Sequence, residues 1–539
     1  MSKPRPGILS ISEWVAAGLM TAIALCLHIA RVHSAGPLWR DEIAVLNLAR
    51  MNWHEIVTGF QHEGFPLLFP ALLREYAGLL GTGNTALRVF GFGTGVLCLG
   101  ILWLNAACVT RRTPLIALAL FAFNPVFFVW GDSIRGYGMG AALLLLTLAL
   151  FARAIIEPGP GVFCAAMVSA VLSVQCLLAN AVLLLAIGAS AMAVQILQRQ
   201  VRAALTTLGI GCGAALSISP YLESYRNARE WDVLFRSAVG LPWLWRRFCS
   251  ALGDPSAGML WVWLVLFAAS AIGVLRLLQR NPTRAPGATP LAVFALLVCV
   301  LAPICYFVFL ETLGYPTQDW YYLSLVAVLA LALDIATGVL ASKFVGVAAL
   351  RLALAVAVAG ALVAPAFDRA QDRMSNMDLV AARLKQKAGP ADFIVIAPWY
   401  LGISFRWHYR FDGGWQTLPP ISDLRIHRYD LLKEQMTKVD PLGGLRKRVA
   451  DTLRSGHRLW VVGSLTYPRN GETPPSRAPA PHDRVGWRES AYLTAWSMQM
   501  GQFVQTHALR SRVIPIAAPT PVNAFENVRL TVVEGWRGE

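Results

Sequence analysis

Charge is scarce in this chain: of its 539 residues only 14% are Asp, Glu, Lys or Arg, while 56% are hydrophobic. No soluble globular domain of this length is so short of charge, which excludes a wholly water-exposed protein and requires a membrane. Acidic residues are the scarcer kind, 31 against 47 basic ones, giving a net charge of +16. The excess is that of a protein with basic loops on one membrane face and a basic domain near anionic lipid. No basic tract and no nucleic-acid-binding signature accompanies it, so nucleic acid is not an expected partner. Cysteine is absent from the last third: all nine cysteines precede Gly314, mostly inside apolar runs. That excludes a disulfide framework from the C-terminal part, and none of the spacings is that of a zinc site. No Gly-rich nucleotide cradle or Walker pattern occurs.

Long apolar stretches, by contrast, recur from Trp14 to Pro365 and then stop. A span needs ~20 apolar residues. Stretches near 14–31, 86–108, 114–130, 137–154, 162–178, 181–197, 204–219, 259–278, 290–310, 321–340 and 345–365 give about eleven spans. The first reads as a retained span and not a cleaved signal peptide, because cleavage would leave the acidic pair that follows on a free N-terminus. Lys3, Arg5, Arg111, Arg112, Arg153, Arg199, Arg202, Arg276, Arg280, Arg284 and Lys343 fall on one side. Positive-inside bias makes that side the cytoplasm. An odd count then puts the C-terminus across the membrane, in the periplasm of a Gram-negative cell. The expectation is a polytopic α-helical membrane domain, 1–366, with outer loops 33–85 and 221–257, followed by a periplasmic α/β domain, 367–539.

Within that domain, residues 389–392 read as a turn entering a buried strand at 393–396. Residues 448–454 read as a short helix, 459–462 and 528–533 as strands, and the Pro-rich 471–481 as a surface loop. In the first loop, 65–80 is apolar on one face and interrupted by Pro66 and Pro70, which suits an interfacial helix. Trp231, Trp243 and Trp245 beside Arg246-Arg247 in the second loop suit a membrane–water boundary.

Leu38-Trp39-Arg40-Asp41-Glu42 follows the first span directly. Charges at the lip of a membrane helix are costly and mark function. Asp41 also fits a helix start, capping the run 43–49. His62-Glu63 could ligate a metal, though two adjacent ligands are a weak signal and a helix start is the commoner outcome. Trp130-Gly131-Asp132-Ser133-Ile134-Arg135-Gly136-Tyr137 forms a short outer turn. There Arg135 either pairs with Asp132 or binds a phosphate. Gln318-Asp319-Trp320-Tyr321-Tyr322 caps another outer turn as an aromatic belt.

Taken together these motifs resemble the GT-C superfamily of polyprenyl-phosphate-sugar glycosyltransferases, in particular bacterial relatives of protein O-mannosyltransferases and aminoarabinose lipid A transferases. The resemblance rests on the acidic pair after the first span, the entry Glu63-Gly64-Phe65-Pro66, the turn Ser133-x-Arg135-x-Tyr137, and an α/β tail after the last span. It implies Asp41 as general base on an acceptor hydroxyl, with Glu42 holding the acceptor. It implies Arg135 and Tyr137 near the lipid phosphate. His62, Glu63, Asp132, Gln318, Tyr321 and Tyr322 are then acceptor- or substrate-binding candidates. Many members carry Arg-Tyr at the late outer turn, where this chain has Trp320-Tyr321-Tyr322. Arg135, Arg40 and Arg246-Arg247 are the candidates to supply the missing cation.

The implied partners are a polyprenyl-phosphate sugar, an envelope lipid, polysaccharide or protein acceptor, and the lipids of a bacterial inner membrane. One working carboxylate implies direct displacement with inversion. The sequence singles out no certain cofactor, and a divalent metal stays open. The alternatives are a flippase for a lipid-linked glycan, against which stands the concentration of polar residues at one face, and a non-catalytic scaffold.

Overall fold

A computed structural model describes every residue except 1–7, 60–61, 64–65, 237–238, 254–257, 281–287, 411–413, 470, 485 and 539. The expected entry at Gly64 and Phe65, and the basic Lys3, Arg5 and Arg284, lie outside the described residues. The chain divides into two compact units. One comprises Met1–His33, Gly64–Leu222 and Ser237–Gln371; the other comprises Ser34–Glu63, Glu223–Arg236 and Asp372–Glu539.

The first unit is helical. Among the described residues nine helices are long and apolar enough to cross a membrane, from Ile8–Ser34 to Val345–Ala370. Two of the expected stretches fall short of that length. The 162–178 stretch forms Pro160–Cys176, 17 residues long. The 114–130 stretch is broken: a short helix, Leu115–Ala117, runs into π-turns at Leu118–Ala122 and Phe127–Gly131. The break sits at Asn124-Pro125, where proline lacks an N–H and the Asn124 side chain accepts from Val126 N–H at 2.8 Å instead. Helix Leu323–Lys343 is apolar all round and buried on every side, as a central helix must be. Its one acid, Asp334, takes the Arg351 guanidinium at 2.7 Å and the Ile116 N–H at 2.9 Å. Peripheral helices keep large apolar side chains exposed, such as Trp261, Val265 and Leu275, which lipid would cover.

Glycines fix the turn 131–135 against helix Asn84–Asn105. A Cβ on Gly91 would lie 2.0 Å from the Asp132 carbonyl oxygen, and one on Gly95 would lie 2.7 Å from the Asp132 carboxylate. Backbone cannot yield as a side-chain tip can. Gly91→Ala is therefore expected to lower stability by about 1–3 kcal/mol, the usual cost of overpacking. An unchanged melting temperature of the detergent-purified variant would show that the turn moves freely.

The second unit holds a five-stranded sheet. Its strands are β1 (Phe393–Ala397), β2 (Trp415–Thr417), β3 (Leu459–Gly463), β4 (Ala508–Ile514) and β5 (Leu530–Trp536), in the order β2-β1-β3-β5-β4. β1 runs parallel to β2 and β3, with Ile394 opposite Trp460, and β5 runs antiparallel to β3 and β4. Alternate residues of β1 enter different cores, since strand side chains alternate between faces. Phe393 and Val395 pack with Leu445, Val449 and Trp496; Ile394 and Ile396 pack with Met377, Leu384 and Phe405. Helices thus cover both faces, which is why β1 and β3 are apolar throughout. The first-loop helix Arg40–Arg50 packs on Leu401–His408 in this same unit. The chain is thus a polytopic α-helical membrane protein with a C-terminal α/β part.

Candidate active site

Helix Arg40–Arg50 starts with Trp39 as its N-cap residue. Asp41 is therefore not the cap. Glu42 is fully buried and accepts the Trp39 backbone N–H at 3.3 Å, the return half of a capping box. The start of the helix thus rests on Glu42 and leaves the Asp41 carboxylate available for other contacts. Arg40 Nε lies 3.3 Å from Asp41 Oδ1, and His427 Nε2 lies 3.5 Å from that same oxygen. The other ring nitrogen of His427, Nδ1, meets Glu63 Oε1 at 3.1 Å. One imidazole therefore stands between two of the three first-loop carboxylates that the sequence singles out, Asp41 and Glu63.

Arg40 is fixed from three sides. Its guanidinium lies 3.7 Å from Glu526 and over the rings of Tyr400 and Trp39, at 4.6 and 5.0 Å, and its backbone N–H donates to Glu526 at 3.0 Å. Burial pushes the Glu526 carboxyl up to about 7, with Arg40 and the Ser375 hydroxyl pulling it down. Rings extend the cluster. His427 stacks on Tyr429 at 5.7 Å, Tyr429 on Trp231 at 5.0 Å, and Trp231 on His62 at 5.7 Å. His62 Nε2 lies 3.7 Å from Asp430, and burial holds the His62 ring below the usual histidine range. Trp231 is thus a member of this ring column, where the sequence suggested a boundary residue.

Below the cluster, burial pushes the Glu489 carboxyl up to about 7, opposed chiefly by a long Trp399 indole N–H donor at 3.4 Å. An unfolded glutamate titrates near ~4.3. Between about 4.3 and 7 the folded state keeps a proton that the unfolded chain has released, so stability falls as pH rises through that window. Below it the full contribution is present; by the upper end about 3 kcal/mol of it is lost. Glu489→Gln should flatten this fall. Melting temperatures of both proteins between those limits check it, and parallel curves would contradict it.

The remaining candidates lie in the membrane unit. Asp132 pairs with His28 Nδ1 at 2.7 Å, not with Arg135 as the spacing allowed, and both partners are buried. Arg135 lies over the Tyr137 ring at 5.6 Å, and Tyr137 faces Tyr321 at 6.4 Å. In the late turn the Tyr322 hydroxyl donates to the Leu244 carbonyl at 3.0 Å, and the Tyr306 hydroxyl donates to the Tyr321 carbonyl. The Gln318 amide oxygen is buried with no hydrogen-bond donor. This turn has no arginine of its own, yet Arg247 reaches Asp319 at 3.5 Å and lies over Trp243 at 4.8 Å. One of the expected substitutes for the missing cation is thus at the turn.

His427, Glu526 and His28 were not singled out from sequence. The only signal for the first was the charge-dense run Asp423-Leu424-Arg425-Ile426-His427-Arg428-Tyr429-Asp430. Among the described residues no group of three or more His, Cys, Asp or Glu side chains is placed to hold a metal ion.

No protein-family model and no curated protein matches the chain. Among solved structures it is similar to ArnT from Cupriavidus metallidurans bound to undecaprenyl phosphate, at 14% identity over 84% of this chain and 93% of that one, with a TM-score of 0.48. It is similar to the Archaeoglobus fulgidus oligosaccharyltransferase in complex with zinc and sulfate, at 14% identity over 83% and 67% of the two chains, TM-score 0.48. It is also similar to the arabinofuranosyltransferase AftD from Mycobacteria, at 15% identity over 96% of this chain and 40% of that one, TM-score 0.46.

Proposed function

We propose that this chain is a GT-C type membrane glycosyltransferase that moves a sugar from a polyprenyl-phosphate donor to a hydroxyl of an envelope lipid, glycan or protein. The observation that carries the reading is the Asp41 carboxylate, held between Arg40 and His427 while Glu42 secures the helix start. In the reaction Asp41 takes the proton of the acceptor hydroxyl, whose oxygen forms the new bond to the anomeric carbon. The bond from that carbon to the phosphate oxygen breaks, and polyprenyl phosphate leaves with the electron pair. A single displacement inverts the anomeric centre, and no second carboxylate is needed as nucleophile. Arg135 beside Tyr137, and Arg247 at the late turn, are assigned to the departing phosphate, for which the guanidinium fork is suited. Glu63 and His427 orient Asp41. His62 and Glu63 lie on the acceptor side of this assignment. The N-terminus is assigned to the cytoplasm and the α/β part to the periplasm, from the one-sided loop arginines.

A deletion strain tests this. It should lack one sugar on one envelope component and accumulate the matching polyprenyl-phosphate sugar. A complete set of envelope sugars, or accumulation of a whole lipid-linked glycan on the cytoplasmic side, would contradict it.

A further inference from the structure

Glu526 is a buried acid that the transfer chemistry leaves unused, and it stands against the same guanidinium as Asp41. Arg40 divides its donors between the two carboxyl groups. Its Nε faces Asp41 Oδ1 at 3.3 Å, while Nη1 lies 3.7 Å from Glu526 Oε2 and donates to the Phe525 carbonyl at 2.9 Å. The Arg40 backbone N–H donates to Glu526 Oε2 at 3.0 Å, and the Ser375 hydroxyl donates to Oε1 at 2.7 Å. Glu526 is 1% exposed, and buried charges are screened far less than those in water.

With Glu526 protonated, the Arg40 cation faces Asp41 undivided. With Glu526 ionised, two carboxylates share one guanidinium. An opposite charge within ~4–6 Å stabilises an ionised carboxylate and makes it a poorer base, and a like charge does the reverse. Ionising Glu526 therefore acts on Asp41 in one direction by both routes, and strengthens it as a proton acceptor. We propose that Glu526 is a positioning residue that sets how firmly Arg40 holds Asp41, and that its ionisation raises the rate of transfer; the rate rests on the transferase reading, while the coupling of the two acids does not.

Burial pushes the Glu526 carboxyl up to about 7, with Arg40 and the Ser375 and Ser404 hydroxyls pulling it down, so its charge changes near neutral pH. The other titratable groups around the pair are distinct from it. His427 faces Asp41 and Glu63, and Glu42 is turned to the Trp39 backbone N–H. The Tyr400 ring lies against Arg40, and burial raises its hydroxyl. Glu489 titrates in the same window but takes its hydrogen bond from Trp399. Of the two acids that change charge there, Glu526 is the one that bonds Arg40.

Rate–pH profiles of the full-length protein in detergent test this, with labelled polyprenyl-phosphate sugar as donor. Glutamine keeps an amide oxygen for the Arg40 N–H but never ionises. Below the Glu526 midpoint Glu526→Gln should match wild type; above it the variant should be about threefold slower, half on the logarithmic scale of an about tenfold coupling between the acids. Glu489→Gln should follow the wild-type profile. Ser375→Ala removes a donor to the ionised form and should move the wild-type rise to higher pH, which decides the matter if Glu526→Gln does not fold. Slowing of Glu526→Gln by one factor at every pH, the effect of lost packing alone, or a rise that vanishes in Glu489→Gln instead, would overturn the proposal. An infrared titration reads the coupling without any transfer. The protonated-carboxyl band that is lost in Glu526→Gln should titrate at lower pH in Asp41→Asn, because coupling between two sites is reciprocal. An unmoved band would overturn the coupling; a moved band in a protein that transfers nothing would keep it and remove the transferase.

Discussion

Asp41→Asn is expected to slow sugar transfer by about 10²–10⁴-fold, the usual contribution of a general base, while the protein stays folded. Asparagine keeps the size and much of the hydrogen bonding of aspartate but takes no proton at neutral pH. The local structure separates this outcome from a capping defect. The N-cap is Trp39 and the acid that reaches back to its N–H is Glu42, so neither is touched by the substitution. Asp41→Asn should therefore leave the melting temperature almost unchanged. Glu42→Gln should show the reverse pattern, a stability loss with a milder effect on transfer, because its buried carboxylate supports the helix start. Transfer at the wild-type rate by Asp41→Asn would remove Asp41 as the base.

The second large effect is expected at His427. Its ring meets Glu63 at 3.1 Å and Asp41 at 3.5 Å, and the pair with Glu63 is buried. His427→Ala leaves Glu63 buried without this partner. A buried acceptor left without its hydrogen-bond donor costs about 1–3 kcal/mol, and more when it is charged. The Asp41 carboxylate would also lose one of the two groups that hold it. Misplacement of a reacting group by about 1 Å can cost ~10²-fold, and a transfer loss of that order is expected. His427→Gln should recover part of the stability through its single amide donor group and less of the rate. A His427→Ala protein with wild-type melting temperature and rate would show that the three groups do not act together.

Asp41 stands out in the sequence because charge at the end of an apolar span is costly there. The strands at 393–397 and 459–463 were legible because a strand buried on both faces is a continuous apolar run between turn residues. β4 was not, since Ala508-Leu509-Arg510-Ser511-Arg512-Val513-Ile514 is an exposed edge strand whose arginines mask any apolar alternation. The partners of the site were not legible either. Asp132 has Arg135 three residues away, yet its partner is His28, 104 residues distant. His427 lies more than 360 residues from Glu63, at a separation of 364, and no periodicity in the sequence joins them. Sequence spacing reports local chemistry; which distant side chain satisfies a buried charge is decided by how the helices and sheet pack. Arg247 illustrates the same limit, since it stands with three other arginines until the fold brings it to Asp319.

The central claim is that this chain transfers a sugar from a polyprenyl phosphate. Purified wild-type protein, incubated with labelled polyprenyl-phosphate sugar and an extract of envelope acceptors, tests it most directly. The account predicts one free polyprenyl phosphate released for each labelled sugar that becomes attached to an acceptor, with inverted configuration at its anomeric carbon. Intact donor after prolonged incubation, or donor moved across a vesicle membrane with its sugar still attached, would contradict it.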